Sequence, residues 1–396
     1  MKKVLLVGLT LLLLGSGLFA DDAKVMPMRV GRFYLAPTYG FAPGAYDSDG
    51  KYQSFDDGSL KLFNLGMALE YGIIDWITGA VQWGPGWTPW SDVSPAAPAG
   101  VKSQFPEGMA AGYPSTEAFD GDQTVNGVAD LFVGAKFQIV GEKAPVQTDM
   151  FRFCIAPGVI IPLPGPNFSD EVDNALKGDK AAFSSMDNHV FGAGARVYLD
   201  WVINEHFFIN LYNETIFYPV KQDLDKAGPN LAILKETILA TAEDMGDLGL
   251  AGTLNGEQAR AAAKTLTDDV DGQVNYKYRL TFELEPQFST PLAEGLIFSA
   301  GLPVTYVYKP AYDYTVNNFA PIAGFVGVTD EKELLKPAGL TGEASHNLSV
   351  KPNVSLFLTK TILPLEFKFQ YGIPVWGQNS NAQQAMTLQI KAYFKI

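Results

Sequence analysis

An apolar side chain at every second position, held for about ten residues at a time and repeated along the chain, constrains this sequence more than any other feature. The run from Val125 to Leu163 shows it. In VNGVADLFVGAKFQIV, Val125, Ala129, Leu131, Val133, Ala135, Phe137 and Ile139 fall on one side, and Asn126, Asp130, Lys136 and Gln138 on the other. After the polar GEKAPVQTD, the run MFRFCIAPGVIIPL sets Phe151, Phe153, Ile155, Val159, Ile161 and Leu163 against Arg152, Cys154, Ala156 and Gly158. A period of two is a strand. A greasy face backed by charges suits a strand with hydrocarbon outside and a wet lumen inside. The expected fold is all-β, a transmembrane antiparallel β-barrel.

The pattern recurs in order. Residues 29–41 put Phe33, Leu35, Tyr39 and Phe41 outward, and residues 61–73 do the same with Phe63, Leu65, Met67, Leu69, Tyr71 and Ile73. A strand from Trp76 ends in WGPGWTPW, an aromatic cluster suited to a membrane interface. Residues 188–201 and 206–220 form a hairpin. In 273–288, Val274, Tyr276, Tyr278, Leu280, Phe282, Leu284 and Phe288 alternate with Gln273, Asn275, Lys277, Arg279, Thr281, Glu283, Glu285 and Gln287. Strands near 295–308, 346–359, 364–376 and 385–396 bring the number to about twelve, with fourteen if part of a loop pairs; even numbers are the rule in bacterial barrels. Short connections fall on one side and long ones mostly on the other, as in such barrels. The longest insertion, 221–272, reads as helical, with Asn255 and Gln258 resembling a capping box. It either caps or plugs the mouth or projects outward.

The N-terminus agrees. Lys2 and Lys3 precede an apolar run from Val4 to Leu14, with a cleavage site after Ala20, so residues 1–20 read as a signal peptide and 21–396 as the barrel. The final strand shares Met386, Leu388, Ile390, Phe394 and Ile396 on one face, the end that barrel-assembly machinery would engage, although it closes on Ile rather than Phe. Net charge is −14, which argues against nucleic acid as a partner. The single cysteine, Cys154, reads as a small packed residue.

The inner face carries the candidate functional groups. Charges assigned to the lumen are Arg32, Glu70, Asp130, Lys136, Arg152, Arg196, Asp200, Glu214, Lys277, Arg279, Glu283, Glu285, Lys351, Glu366, Lys368 and Lys391. They either knit the interior shut or line a water-filled path. Inward aromatics Tyr34, Phe132, Tyr198, Phe208, Tyr212 and Phe357 are candidates for contact with an apolar or aromatic solute, the alternative being interior packing. Prolines 37, 85, 157, 219, 303 and 374 lie in or near the distal halves of strands, as twist adjustment and termination, or as kinks that narrow the lumen or open the wall sideways. Three histidines, His189, His206 and His346, give no metal spacing, and Ser184 and Ser185 before His189 make no nucleophile motif; no enzyme, cofactor or metal is expected.

YGIIDWITGAVQWGPG, GVADLFVGAKFQIV and APGVIIPLPG resemble the repeating hairpins of outer-membrane barrels linked to the meta-cleavage pathway of phenol degradation. More distantly the chain resembles the long-chain fatty acid transporter family of hydrophobic-compound channels. That family begins with a plug carrying an Asn-Pro-Ala motif, absent here, so neither its plug nor its ligand residues are carried over. The resemblance implies a passive channel for small hydrophobic or aromatic compounds, with outer-membrane lipid and a small apolar solute as partners. The rival expectation is a surface-exposed structural or adhesive barrel with a closed lumen.

Overall fold

The structure is a computed structural model that describes residues 23–55, 58–93, 123–177, 179–320 and 342–395. The signal-peptide reading of 1–20 and most of the 88–124 loop lie outside these residues. Twelve antiparallel staves close on themselves. They are β1 Val30–Ala42, β2 Leu60–Ile74, β3 Ile77–Asp92, β4 Leu131–Val140, β5 Phe151–Ile161, β6 Gly192–Val202, β7 Phe207–Phe217 and β8 Tyr278–Ala293. Two broken staves follow, β9 (Leu296–Gly301 and Val304–Lys309) and β10 (Ser345–Val350 and Asn353–Leu358), then β11 Leu365–Gln378 and β12 Gln384–Lys395. Each stave pairs with its chain neighbours, and β12 returns to β1 in register from Val30↔Lys395 to Phe41↔Gln384. Closure leaves no unpaired edge, which hydrocarbon demands.

The alternation predicted from the sequence decides which way each wall faces. Leu69, Val81, Phe282, Leu284, Leu356, Phe369 and Leu388 are exposed on the outside, while Tyr34, Glu70, Gln82, Glu214 and Thr281 between them are buried inside. Short turns (75–76, 203–206, 294–295) gather at one end, the periplasmic end by the usual rule. At the other end Trp87 and Trp90 stand exposed on β3.

Three strand readings are corrected. Val125 and Ala129 do not face lipid: both are buried in a loop-end cluster with Leu60, Leu62 and Met186, and β4 starts only at Leu131. The run 273–288 is not one strand. Lys277 takes φ +60°, which breaks the alternation. Asp271–Asn275 pairs instead with Asp313–Asn317 in a three-stranded sheet above the rim, and Val274 and Tyr276 pack into the cap rather than facing outward.

The prolines do not open the wall at the broken staves. Leu302 N–H donates to the Pro286 carbonyl (3.1 Å), Lys351 N–H to Pro303 (2.8 Å) and Tyr371 N–H to Pro352 (3.0 Å). Three prolines on neighbouring staves therefore share one row, each missing donor falling where the ladder is interrupted and each carbonyl still used. Register shifts elsewhere fall opposite Gly84–Gly86 and at Pro374.

The insertion caps the extracellular mouth. After a single turn, α1 Leu224–Ala227, it forms α2 Asn230–Asp247 and α3 Gly256–Asp268; α3 begins with the expected box, Gln258 N–H to Asn255 Oδ1 at 2.9 Å and Asn255 N–H to Gln258 Oε1 at 3.2 Å. Leu224, Leu231, Leu234, Ile238 and Leu239 join Phe132, Ile160 and Ile216 of the inner wall in one buried cluster. Burial of that surface holds the helices over the lumen.

Candidate functional site

The lumen has three levels: the capped mouth, a filled waist, and an open vestibule at the periplasmic end. The waist is built from inward positions of six staves. Arg32 (β1) donates to Glu70 (β2) through Nε at 3.2 Å and Nη2 at 2.6 Å. Gln82 (β3) donates to the other Glu70 oxygen at 3.1 Å and accepts from Arg196 (β6). Arg196 Nε donates to Glu214 (β7) at 2.6 Å, and Arg279 (β8) reaches the second oxygen of that carboxylate at 3.0 Å. Because β4 and β5 separate β3 from β6, the Gln82–Arg196 bond crosses the lumen instead of running along the wall.

Aromatic rings brace these charges. The Arg196 guanidinium lies 3.6 Å from the Phe132 ring centre, Lys136 Nζ is 4.0 Å over Tyr198, and Tyr198 and Tyr212 are 5.2 Å apart. Arg32 stands 4.5 Å over Tyr34. Cations on ring faces lose less on leaving water than bare ones. Beside Arg196 the described residues leave voids of about 30 Å³ and about 10 Å³, room for about one water.

Below the waist the chain's own N-terminal stretch enters the lumen. Ala23 is fully buried, donating from its N–H to Asp200 (2.9 Å) and accepting from Gln138 Nε2 (2.8 Å) and the Cys154 thiol (2.9 Å). Met26 N–H donates to Thr78 Oγ1 at 2.8 Å, and Met28 N–H to Asp75 at 3.0 Å. The sequence reading, which carried over no plug, missed this. These bonds use the segment's backbone, so its side chains gave no signal.

The vestibule is a cavity of about 510 Å³, half open to the periplasm, within the range of about 300–1,000 Å³ usual for small-ligand sites. Arg152, Glu285, Glu366, Lys368, Lys391, Phe208 and Phe357 line it, as does Arg32 from the waist. Glu283 accepts from Thr305 on the wall nearby (2.6 Å), and Lys351 lies within electrostatic reach of both Glu283 and Glu285. Asp200 is committed to Ala23. Lys277, expected in the lumen, stands in the cap with its ammonium 3.2 Å from Asp313. It follows the positive-φ break that lifts it off the stave.

Asp130 lies at the top of β4, in a staple between two extracellular loops. Its Oδ1 accepts Leu163 N–H at 3.0 Å and His189 Nδ1 at 3.1 Å, while His189 Nε2 is 2.6 Å from Ser185 Oγ. The connectivity is that of a hydrolytic triad. However, Asp130 is shared with Leu163 N–H, His189 Nδ1 also reaches the Leu163 carbonyl at 2.9 Å, and neither the vestibule nor the waist voids reach Ser185. These bonds tie the two loops together as a staple. His206 and His346 are elsewhere, on the Ser289 carbonyl and the Tyr306 hydroxyl.

The staple is pH-sensitive. Burial and the neighbouring Asp130 push the Asp187 carboxyl up to about 6. Burial works against the His189 imidazolium, but the bonded Asp130 carboxylate outweighs it and raises its pKa. Both folded pKa values lie above the unfolded ones, so the docked loop binds more protons than the free loop. Its docking is then firmest below the unfolded carboxyl value of 3.8, weakens as pH rises from there to about 6 with Asp187, and weakens further between 6.5 and the raised His189 value. Hydrogen exchange in residues 162–191, corrected for intrinsic rates, is expected to be severalfold slower at pH 5 than at pH 8. Equal protection at both, or a His189→Gln variant with an unchanged difference, would contradict the assignment.

No protein-family model matches the sequence, and no curated protein matches it either. Among solved structures, the barrel is similar to the COG4313 outer membrane channel from Pseudomonas putida F1, with 13% identity, 94% of this chain and 98% of that chain covered, and a TM-score of 0.52. This chain shares that channel's fold. Looser matches include a Pseudomonas aeruginosa FadL homologue (9% identity, 93% and 90% covered, TM-score 0.32) and the Pseudomonas putida toluene transporter TodX (8%, 98% and 95%, 0.32). The fold is that of a bacterial outer-membrane β-barrel, in agreement with the hairpin resemblance read from the sequence.

Proposed function

We propose that the chain is a passive outer-membrane channel for small hydrophobic or aromatic compounds. The observation that carries this reading is the apolar lining at the capped end of the lumen, where Phe132, Ile160 and Ile216 of the wall pack with buried Leu224, Leu231 and Ile238 of the cap. A general porin keeps its lumen polar and water-filled. In this reading the cap shifts to admit a solute from outside, which then passes apolar side chains, the aromatic-braced waist and the vestibule. The description of the similar-fold structure as an outer membrane channel supports the same direction. In this reading, lipid surrounds the wall, barrel-assembly machinery inserts it, and no catalytic step or energy source is involved.

Transport requires the waist to rearrange, since its voids admit about one water. That closure is the observation favouring the rival, a structural or adhesive barrel whose loops do the work. Uptake of benzyl alcohol into proteoliposomes separates the two. The channel reading expects entry faster than into empty vesicles. Entry at the empty-vesicle rate, together with surface binding that disappears on loop deletion, would favour the rival.

A further inference from the structure

We propose that the periplasmic vestibule is a binding site for an aromatic carboxylate. The proposal deepens the channel reading, on which its meaning for transport rests, by naming the solute class.

The chain as a whole carries −14, yet six Lys or Arg side chains and four Asp or Glu side chains line this cavity. An acidic protein thus turns a locally cationic face toward this space. Two of these cations, Lys391 and Lys368, sit farther from their carboxylates than the waist cations do. Lys391 Nζ is 3.3 Å from Glu366, and Lys368 Nζ is 3.8 Å from Glu285, whereas the waist pairs close to 2.6 Å. Both vestibule carboxylates have neutral donors of their own. Tyr393 Oη donates to Glu366 at 3.0 Å, and Asn353 Nδ2 donates to Glu285 at 2.9 Å. An incoming anion can therefore take a share of the two ammonium groups without leaving either glutamate unbonded, which is what makes exchange inexpensive.

The second half of the ligand is read from the rings. Phe357, Glu366, Lys391 and Tyr34 are successive register partners across β10, β11, β12 and β1, so the Glu366–Lys391 pair sits between two rings along one arc of wall. Phe357 lies 5.1 Å from Tyr393 at an interplanar angle of 42°. A flat ring set against this pair would place a carboxylate near Lys391, with Lys368 on the next inward position of β11. A neutral aromatic offers the ammonium groups only a ring face, and an aromatic amine is repelled by them.

Calorimetry on the folded, detergent-solubilised full chain, with benzoate as probe, tests the proposal. Benzoate is expected to bind at least tenfold more tightly than benzyl alcohol, which has the ring without the charge, and than acetate, which has the charge without the ring. Benzylamine is expected not to bind. The Lys368→Met/Lys391→Met double variant is expected to lose at least tenfold in benzoate affinity, and Phe357→Ala to reduce the preference for benzoate over acetate. Gel migration with and without heating shows that each variant is folded, and single Lys368→Met serves if the double variant is not. Benzoate binding no tighter than benzyl alcohol or acetate, or full affinity in the lysine variants, would overturn the assignment. Binding in detergent needs no passage. Uptake of benzyl alcohol without benzoate binding refutes this site alone, and benzoate binding without uptake refutes the channel reading alone.

Discussion

Replacing Glu214 with Ala is expected to lower the stability of the folded barrel by about 3–5 kcal/mol, the cost of removing one partner from a buried ion pair. Its side chain is 1% exposed and accepts from both Arg196 and Arg279, whose side chains are 11% and 13% exposed. Without it two guanidinium groups face each other in a waist whose voids have room for about one water. Arg196 keeps Gln82 and the Phe132 face, while Arg279 bonds to no other carboxylate among the described residues. The comparison variant is Lys264→Ala, which breaks an exposed helical pair to Asp268 with 63% and 59% side-chain exposure and costs under about 0.5 kcal/mol. The urea midpoint of heat-modifiable gel migration reads both. A Glu214→Ala midpoint equal to that of Lys264→Ala would mean that the waist is hydrated and its network dispensable.

The second large effect concerns the lone cysteine. Cys154 is fully buried and its thiol is bonded to the Ala23 carbonyl, so the N-terminal segment is what separates it from the vestibule. A barrel refolded without residues 1–27 is expected to react with a small water-soluble maleimide at least about tenfold faster than one refolded without residues 1–20, because a thiol reacts only when reagent can reach its thiolate. Reaction stoichiometry stays at one, since the chain has no other cysteine. Equal rates would show that the segment does not occupy the lumen in solution.

Much of the wall was legible because one rule governs it. Wherever a stave lies between hydrocarbon and lumen, its neighbours on the chain must differ in polarity, and the positions of Leu69 against Glu70 or Phe282 against Glu283 follow from counting. Counting fails where the surroundings change. Val274 and Tyr276 keep the strand period yet face a cap, because an apolar side chain packs equally well against helices and lipid. Nothing in the letters NYKY marks Lys277 as the residue that turns. The inward direction of Gln82 was readable in the same way, but its bond to Arg196 across the lumen depends on barrel diameter, which no local pattern encodes. The alternation puts Asp200, Gln138 and Thr78 on the inner face without saying what each meets there. Their partners are backbone atoms of Ala23 and Met26, and a backbone has the same chemistry at every position. The staple around His189 was hidden for a related reason: Asp130, Leu163 and Ser185 meet only when two loops fold back together.

The claim beneath all of this is that adjacent residues of one stave look onto different media. On β10, Leu356 is 43% exposed on the outer wall and Ser355 is 7% exposed beside the vestibule. Each can be replaced by Cys in a Cys154→Ala background and labelled with the same fluorophore in lipid vesicles. The account predicts quenching of the Leu356→Cys label by brominated lipid and not by iodide, and the reverse for Ser355→Cys. Iodide quenching both labels alike, with brominated lipid quenching neither, would contradict it.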